Sequence, residues 1–325
     1  MEIIKPDQLY KYLYGPVPSR RFGLSLGVDL TPFKTCSFDC VFCQLGRTPQ
    51  KTVARKEYVP VEAVLEELQS WLETGENADY ITLSGSGEPT LNAGFGKVLQ
   101  FLKGRPIPSV LLTNGSMLML PEVRESAACA DIVKVSFSAW DQGSFEWINR
   151  PHPQLKFSDL KNGLKMFRAQ FAGKLWIEVF IMLGINSSPE NVKKIAAHIK
   201  EIGPDHIHLN TVVRPPAEEF AAAIQQTQMA SLAGLFDPPA EVIAEFNVNS
   251  EKHIMATEDS ILAMLQRRPC TTAQIVGVSG MHIMEVSKYL GDLMRNGRIQ
   301  EKRKKGDVYY AAVRAESSGH AQISQ

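Results

Sequence analysis

Three cysteines lie within eight residues, at Cys36, Cys40 and Cys43, in a C-x3-C-x2-C spacing. Thiolates are strong ligands for iron and zinc, and three on one short segment can converge on a single centre. The other two cysteines, Cys129 and Cys270, are distant in sequence. Because a four-iron cubane usually takes four cysteines, three would leave one iron open to an outside ligand. The triplet therefore predicts a cluster with an open iron; a zinc site completed by a distant histidine, or three unconnected thiols, are the alternatives.

The composition is that of an ordinary globular protein. Of the 325 residues, 44% are hydrophobic and 22% are charged, which excludes disordered, collagenous and coiled-coil classes. The 35 basic and 35 acidic residues cancel, so the whole molecule is not a polyelectrolyte binder. The sequence has no apolar run near the ~18 to 20 residues of a membrane span and no signal-peptide pattern. Together with an odd, clustered set of cysteines, this predicts a cytosolic protein with a metal site and no membrane partner.

The elements that must position the triplet alternate between short apolar strands and amphipathic helices. One helix is predicted over Val61–Leu72 from its 3.6-residue period, and another from the Ser188-Pro189 cap. Strands joined by helices run parallel with right-handed crossovers, which predicts a doubly wound sheet or a barrel. Six units are fewer than the eight of a closed barrel, so we expect an α/β fold, a partial (βα)6 TIM-like barrel of parallel strands with ligands at their carboxyl ends. The predicted strands are Leu24–Leu30, Tyr80–Leu83, Val110–Leu112, Ile132–Phe137, Leu175–Leu183 and Ile207–Val213.

The triplet resembles the defining motif of the radical S-adenosylmethionine (radical SAM) superfamily. The resemblance implies that Cys36, Cys40 and Cys43 bind three irons of a 4Fe-4S cluster and that the fourth iron binds the amino and carboxylate groups of S-adenosylmethionine. It also implies that one electron cleaves the sulfonium to methionine and a 5'-deoxyadenosyl radical, which abstracts hydrogen from a substrate. Phe42 matches an aromatic position that family members place beside the adenine.

The segment Gly85-Ser86-Gly87-Glu88-Pro89-Thr90 follows the second predicted strand. Glycines let the backbone approach a ligand closely, and a carboxylate can accept a hydrogen bond from an ammonium. In the superfamily the matching segment holds the methionine amino group of the cofactor. The resemblance therefore assigns Gly85, Gly87, Glu88 and Pro89 to cofactor binding, with a plain strand-to-helix turn as the alternative.

Polar residues at two later strand ends extend the predicted cofactor site. Thr113 and Asn114 end the third strand, where superfamily members often carry a similar segment, although Thr-Asn-Gly is also a turn signal. Ser136 and Ser138 end the fourth strand, and the resemblance implies contacts with the ribose or the methionyl carboxylate. The alternative for these serines is a position facing a polar lumen.

Arg150, Glu178 and Asn210 complete the candidate set. Arg150 suits an anionic group, and a solvated loop arginine is the alternative. Glu178 lies in an apolar run of the fifth strand, and a buried charge needs a partner, which indicates an inward position facing the substrate or the lumen. Asn210 lies on the sixth strand. We place all three with the cofactor-binding residues.

A narrower resemblance covers residues about 12 to 250. Segments 14–29 and 43–48 are similar to those of a radical SAM branch related to wyosine-base synthases, which build a tricyclic guanine in tRNA. Archaeal wyosine synthases carry a second cluster on cysteines upstream of the triplet, whereas no cysteine precedes Cys36 in this chain. The resemblance therefore implies ancestry more than substrate, and tRNA base modification is one substrate class among several.

Residues 251–315 are predicted to form a second domain, after a core with its connector at 1–250 and before a polar tail at 316–325. Three predicted helices precede a turn and two strands joined by a basic hairpin, which is the element order of a winged helix. Such a domain can dock a substrate or protein partner, bind nucleic acid, or serve structure alone.

Two functional hypotheses follow. The first is a radical SAM enzyme that receives its electron from a donor such as flavodoxin or ferredoxin and acts on an unidentified small molecule, peptide or RNA. The second is a metal- or redox-sensing regulator whose winged helix binds nucleic acid. They differ because only the enzyme needs the segment 85–90 to bind S-adenosylmethionine.

Overall fold

A computed structural model describes residues 10–19, 22–212, 216–243, 258–279, 283–304 and 307–313. The chain divides into two compact units, residues 1–251 and 252–325. The polar tail predicted at 316–325 lies outside the described residues. Within the described ranges, each helix is too short or too polar to cross a membrane.

The first unit is built on one eight-stranded sheet whose strand order is the same as the chain order. The second to the eighth strands pair in parallel, and the first pairs antiparallel with the second. The strands are β1 (Leu13–Ser19), β2 (Gly23–Val28), β3 (Tyr80–Leu83), β4 (Ser109–Thr113), β5 (Ile132–Ser136), β6 (Lys174–Ile181), β7 (His206–Thr211) and β8 (Glu241–Val242). The six predicted strands correspond to β2–β7, which confirms an α/β fold with a mostly parallel sheet. Two strands were not predicted, β1 before the cysteine triplet and the two-residue β8 in the predicted connector.

Helices connect the parallel strands. They are α1 (Val61–Glu73), α2 (Phe95–Leu102), α3 (Pro121–Ala127), α4 (Gln142–Ile148), α5 (Phe157–Gln170), α6 (Pro189–Ile202) and α7 (Gln226–Ala233). Right-handed crossovers in one direction put their helices on one face of the sheet, so the order fits a singly wound sheet rather than a doubly wound one. The predicted α6 cap is present, because Ser188 Oγ accepts a hydrogen bond from the Asn191 amide and Gly203 ends the helix with a φ of 70°.

The two faces of the sheet differ in composition. Successive residues of a strand point to opposite faces of the sheet. We call the face that the helices cover the outer face and the opposite one the inner face. On the outer face, Leu26 and Ile81 lie in one hydrophobic core with Trp71 of α1. On the inner face a smaller aromatic cluster lies at the amino ends of the strands, where the rings of Phe22 and Trp176 stack with centroids 5.0 Å apart. The inner face therefore carries an aromatic cluster near the amino ends of the strands, where His206 also contacts Trp176, and the polar side chains of Glu178 and Asn210 lie further along β6 and β7.

The second unit contains α8 (Glu258–Arg267), β9 (Cys270–Thr271), α9 (Thr272–Ser279), α10 (Ile283–Arg295), β10 (Ile299–Lys304) and β11 (Asp307–Ala312). Its three strands form an antiparallel sheet in the order β10-β11-β9. Gly297, with a φ of 63°, lies in the turn that follows α10. Residues 305–306 of the basic hairpin lie outside the described ranges.

Candidate functional site

The three cysteines lie on a long connection between β2 and α1, residues 29–60, which we call the cysteine loop. On one side its backbone is held by the segment after β3, because Lys34 N donates to Ser86 O at 2.7 Å and Glu88 N donates to Thr35 O at 2.9 Å. On the other side it is held by the end of α4. There the amides of Asp39 and Val41 donate to the carbonyls of Asn149 and Ile148, both at 3.0 Å. Both anchors lie at the carboxyl-end edge of the sheet, as the sequence predicts.

Each cysteine sulfur accepts a hydrogen bond from a side-chain nitrogen, and the three donors come from three different segments, one of which is the cysteine loop itself. The three donors are Lys34 Nζ to Cys43 Sγ at 3.2 Å, Asn149 Nδ2 to Cys40 Sγ at 3.4 Å, and Asn114 Nδ2 to Cys36 Sγ at 3.6 Å. Hydrogen bonds of this kind to sulfur are the outer contacts that tune iron–sulfur centres.

The thiols also lie close enough to influence one another. Burial raises the pKa of Cys36 to about 12, with the charge of Glu88 as the next cause. Burial raises the pKa of Cys40 as well, followed by the charges of Cys36 and Cys43. Metal ligation requires thiolates, whose negative charge burial disfavours, so a cationic centre among these sulfurs would supply the positive charge that stabilises them. Three neighbouring thiols with N–H donors thus fit a 4Fe-4S cluster.

A preformed site for a single metal ion would need three or more ligand side chains gathered around one point. Across the part of the chain that the structure describes, no three or more His, Cys, Asp or Glu side chains are gathered as the ligands of a single ion would be.

Gly85 and Gly87 allow close approach, and the structure identifies what approaches them. A Cβ on Gly85, whose φ is 144°, would lie 2.4 Å from Asp29 Cγ. A Cβ on Gly87 would lie 2.0 Å from the carbonyl oxygen of Thr35. Both glycines therefore let the segment after β3 pack against the cysteine loop.

Glu88 is buried, and its side chain joins the segment after β3 to the end of β4. Its Oε1 accepts hydrogen bonds from Thr90 N at 3.1 Å, Thr90 Oγ1 at 2.6 Å and Thr113 Oγ1 at 2.6 Å, and its Oε2 accepts from Asn114 N at 2.7 Å. Burial raises the pKa of Glu88, while these four hydrogen bonds lower it. Pro89 follows as the first residue of a single 3₁₀ turn. Glu88, Pro89, Thr113 and Asn114 are therefore brought together beside Cys36.

Phe42 and Ser138 both contact Phe180, near the carboxyl end of β6. The ring of Phe42 stacks on Phe180 with centroids 4.3 Å apart and planes 12° apart. Ser138 Oγ accepts a hydrogen bond from Phe180 N at 2.9 Å, so this serine ties the two strand ends together. Ser136 is half-buried and lies beside Glu178 in the register of β5 and β6.

Glu178 and Asn210 lie deeper, in a buried polar cluster. Asn210 Nδ2 donates to Glu178 Oε1 at 2.7 Å, and Lys134 forms an ion pair with Glu178 Oε2. The predicted partner of the buried Glu178 charge is thus an ammonium on the neighbouring strand. Lys134 was not predicted from the sequence, although a lysine inside the apolar run Ile132–Phe137 is the signal that could have indicated it.

Arg150 is placed differently from the other candidates. Its φ is 43°, and its guanidinium pairs with Glu218, while the same nitrogen lies 3.8 Å from Asp39 Oδ2. Arg47 contacts the same two carboxylates, at 2.7 Å from Glu218 and 2.8 Å from Asp39. The structure does not bring Arg150 to the group of Glu88, Pro89, Thr113 and Asn114, which we call the Glu88 cluster. It places this arginine in an ion-pair network between the cysteine loop and the segment after β7.

Four residues near the site were missed by sequence reasoning, namely Lys34, Asn149, Asp29 and Tyr14. Asp29 accepts hydrogen bonds from Ser86 N and Oγ at 3.0 and 2.6 Å. The ring of Tyr14 covers Gly27, where a Cβ would lie 2.1 Å from the ring, and its hydroxyl is 2.8 Å from Ser84 Oγ. These contacts join segments that are distant in sequence, although Tyr14 and Asp29 belong to the segment 14–29 that the sequence singled out.

Comparison with known proteins identifies the family. The family model described as Radical SAM superfamily matches residues 30–199, more than half of the chain. The chain is 30% identical over 308 residues to the UPF0026 protein of Helicobacter pylori, covering 92% of this chain and 97% of that protein. It is also 34% identical over 306 residues to a protein named GTPase Obg from Brachyspira hyodysenteriae, covering 93% of this chain and 45% of that one. The chain thus spans less than half of that relative.

A solved structure supports the fold. The crystal structure of a radical SAM methyltransferase from Sphaerobacter thermophilus matches with a TM-score of 0.54 and 16% identity, covering 69% of this chain and 67% of that one. The family match favours the enzyme hypothesis over the nucleic-acid-binding regulator. The chain belongs to the radical SAM superfamily, alongside the UPF0026 proteins, and is a radical SAM enzyme that uses a 4Fe-4S cluster and S-adenosylmethionine.

Proposed function

We propose that Cys36, Cys40 and Cys43 hold the cluster and that S-adenosylmethionine binds beside them, at the carboxyl ends of β3–β6. When bound, a cluster with one open iron supplies the electron that cleaves S-adenosylmethionine reductively and so starts hydrogen abstraction from a substrate. The single observation that carries this proposal is the loop of three neighbouring thiols, each with its own N–H donor.

The residues around the thiols have separate roles in this proposal. Gly85, Gly87 and Pro89 shape the segment that approaches the cysteine loop, and Glu88 fixes Thr113 and Asn114 against it. A carboxylate oxygen can accept two hydrogen bonds, and Glu88 Oε2 accepts that of Asn114 N, which leaves it suited to an ammonium as a second donor.

Phe42 and Ser136 line the next strand ends, where we propose contacts with the adenosyl part of the cofactor, and Ser138 holds the strand ends in place. Glu178 and Asn210, with Lys134, are proposed to face the substrate from the inner face of the sheet, because their cluster is buried and polar. Arg150 is proposed to fasten the cysteine loop rather than to bind the cofactor, since its charge faces two carboxylates.

The second unit is proposed to be a winged helix that docks the substrate or a protein partner. The element order, three helices followed by a two-stranded hairpin, supports this proposal. Lys302 and Arg303 are exposed on β10, and Arg303 pairs with Glu301. The substrate class stays a proposal among small molecules, peptides and RNA, with tRNA base modification included.

The test compares two cysteine variants after anaerobic reconstitution with iron and sulfide. We expect the wild-type chain, once reduced, to form 5'-deoxyadenosine from S-adenosylmethionine, and Cys40→Ala to lose this activity by at least a hundredfold. Cys129→Ala is the matched control, because Cys129 hydrogen-bonds with Gln100 and Glu125 away from the cysteine loop, and it should behave as wild type. A wild-type cluster whose electron paramagnetic resonance signal ignores S-adenosylmethionine would overturn the proposal.

A further inference from the structure

Lys34 has an unusual position for a lysine. It is 7% exposed, and its ammonium donates to the sulfur of Cys43 at 3.2 Å and to the carbonyl of Gly46 at 2.6 Å. Its backbone has a φ of 60°, a left-handed conformation that residues other than glycine, asparagine and aspartate rarely adopt. Strained backbone of this kind persists where surrounding contacts over-determine it, and here the Lys34 amide is fixed by Ser86 O.

The other cations near the thiols have different partners. Two further cations of this region, Arg47 and Arg150, face carboxylates instead. Lys34 is therefore the cation directed at the sulfurs among the described residues of this loop.

The three N–H donors to sulfur differ in strength. Asn149 and Asn114 offer neutral amides at 3.4 and 3.6 Å, whereas Lys34 offers a full positive charge at the shortest of the three distances. A charged donor forms a hydrogen bond roughly twice as strong as a neutral one. Reduction adds negative charge to an iron–sulfur centre, and hydrogen bonds and net charge at its sulfurs set its potential.

We propose that Lys34 is a positioning residue that raises the reduction potential of the cluster by stabilising the reduced form through the Cys43 sulfur. This role rests on the proposed function, in which the three cysteines hold the cluster. Asn149 and Asn114 act in the same direction with smaller effect. The lysine thereby makes the cluster reducible by a weaker electron donor than the thiolates alone would permit.

The experiment measures the midpoint potential of the full chain, reconstituted anaerobically and titrated under electron paramagnetic resonance without S-adenosylmethionine. Lys34→Met removes the charge and the donor, and Lys34→Gln removes the charge but keeps an amide. Lys51→Met is the matched control, because Lys51 lies on the same loop and donates to Pro151 O at 2.9 Å rather than to a sulfur. Iron and sulfide content is measured for each protein.

We expect Lys34→Met to make the midpoint potential more negative by at least 59 mV, which corresponds to a tenfold change in a one-electron reduction equilibrium. Lys34→Gln should shift it less in the same direction, and Lys51→Met should match wild type. An unchanged potential at full cluster content would overturn the inference. Loss of the cluster in both Lys34 variants would also overturn it, because Lys34 would then build the loop. A wild-type chain without a 4Fe-4S cluster would instead refute the proposed function.

Discussion

Two glutamates donate a backbone hydrogen bond to the cysteine loop, Glu88 to Thr35 O and Glu218 to Val41 O, but their side chains are held by different chemistry. Glu88 is 2% exposed and accepts four hydrogen bonds from neutral donors, whereas the side chain of Glu218 is 20% exposed and pairs with Arg47 and Arg150. Burial raises the pKa of Glu88, while the hydrogen bond from Arg150 lowers that of Glu218. The comparison indicates that the Glu88 side is the rigid anchor and the Glu218 side the weaker, salt-sensitive one, because buried donors cannot turn to water.

The largest effect is expected from Glu88→Leu. This change leaves four donors without their acceptor, two of them backbone amides that cannot rotate away, and should lower the free energy of unfolding by about 4 kcal/mol. Glu88→Gln should cost less, because it keeps an acceptor oxygen and removes a charge that burial disfavours. Urea denaturation followed by tryptophan fluorescence reports on this unit, since all four tryptophans lie in residues 1–251. Equal losses in the two variants would contradict the role of the hydrogen bonds.

The next effect on the same side is expected from Gly87→Ala. The added Cβ would lie 2.0 Å from the Thr35 carbonyl, a backbone atom that cannot move without the cysteine loop. We expect a loss of about 2 kcal/mol and reduced cluster content after reconstitution. Gly143→Ala is the control, because the nearest atom to its Cβ is Asp141 Oδ1 at 3.7 Å. A Gly87→Ala protein with wild-type stability and iron content would show that the two segments need not touch.

Local patterns in the sequence account for the parts of the site that were predicted. The triplet places three ligands within one loop, and the apolar runs of β2–β7 specify buried parallel strands without reference to the rest of the chain. The sequence did not indicate the sulfur contacts of Asn114 and Asn149, because these residues lie far along the chain from Cys36 and Cys40. Asn149 reaches Cys40 across 109 residues of sequence, and a single asparagine carries no pattern.

The partners of Arg150 could not be predicted from the sequence for the same reason. Its partner Glu218 lies 68 residues away, in a stretch that the sequence analysis treated as a connector. The atoms that approach Gly85 and Gly87 were unpredictable for a related reason, since a glycine signals close approach but not which atoms approach. Strand β1 went unpredicted because its sequence, Leu-Tyr-Gly-Pro-Val-Pro-Ser, contains two prolines and a glycine, which disfavour a strand except at a sheet edge.

A smaller effect is expected at the start of α4, whose C-cap Asn149 donates to Cys40. Asp141 forms a capping box with Ser144, and the hydrogen bond from the Ser144 amide lowers the pKa of Asp141. Asp141→Ala should lower the free energy of unfolding by about 1 kcal/mol, as loss of an N-cap does. Asp141→Asn should recover most of it, since asparagine also caps helices well. If Asp141→Asn does not recover the lost free energy of unfolding, the charge of Asp141 matters rather than its hydrogen bond as a cap.

The smallest effect is expected from Glu218→Gln, which removes one carboxylate from the ion-pair network. The loss of stability should be smaller than that of Asp141→Ala at low salt and should disappear near 0.5 M salt, where the screening length falls to roughly 4 Å. A carboxylate whose pKa is lowered on folding stabilises the fold above its unfolded pKa, about 4.3, and loses that contribution as the pH falls through the lower folded value. Below that range wild type and Glu218→Gln should therefore converge.

Arg47→Gln is the companion measurement for Glu218→Gln, because it removes a cation that contacts both Glu218 and Asp39 and leaves Arg150 in place. If the Glu218 side is the weaker anchor, both variants should keep wild-type cluster content, in contrast to Gly87→Ala. A loss of cluster in either variant that persists at high salt would reverse the ranking. The exposed network would then be essential to the shape of the cysteine loop, and the Glu88 cluster alone would not suffice to hold it.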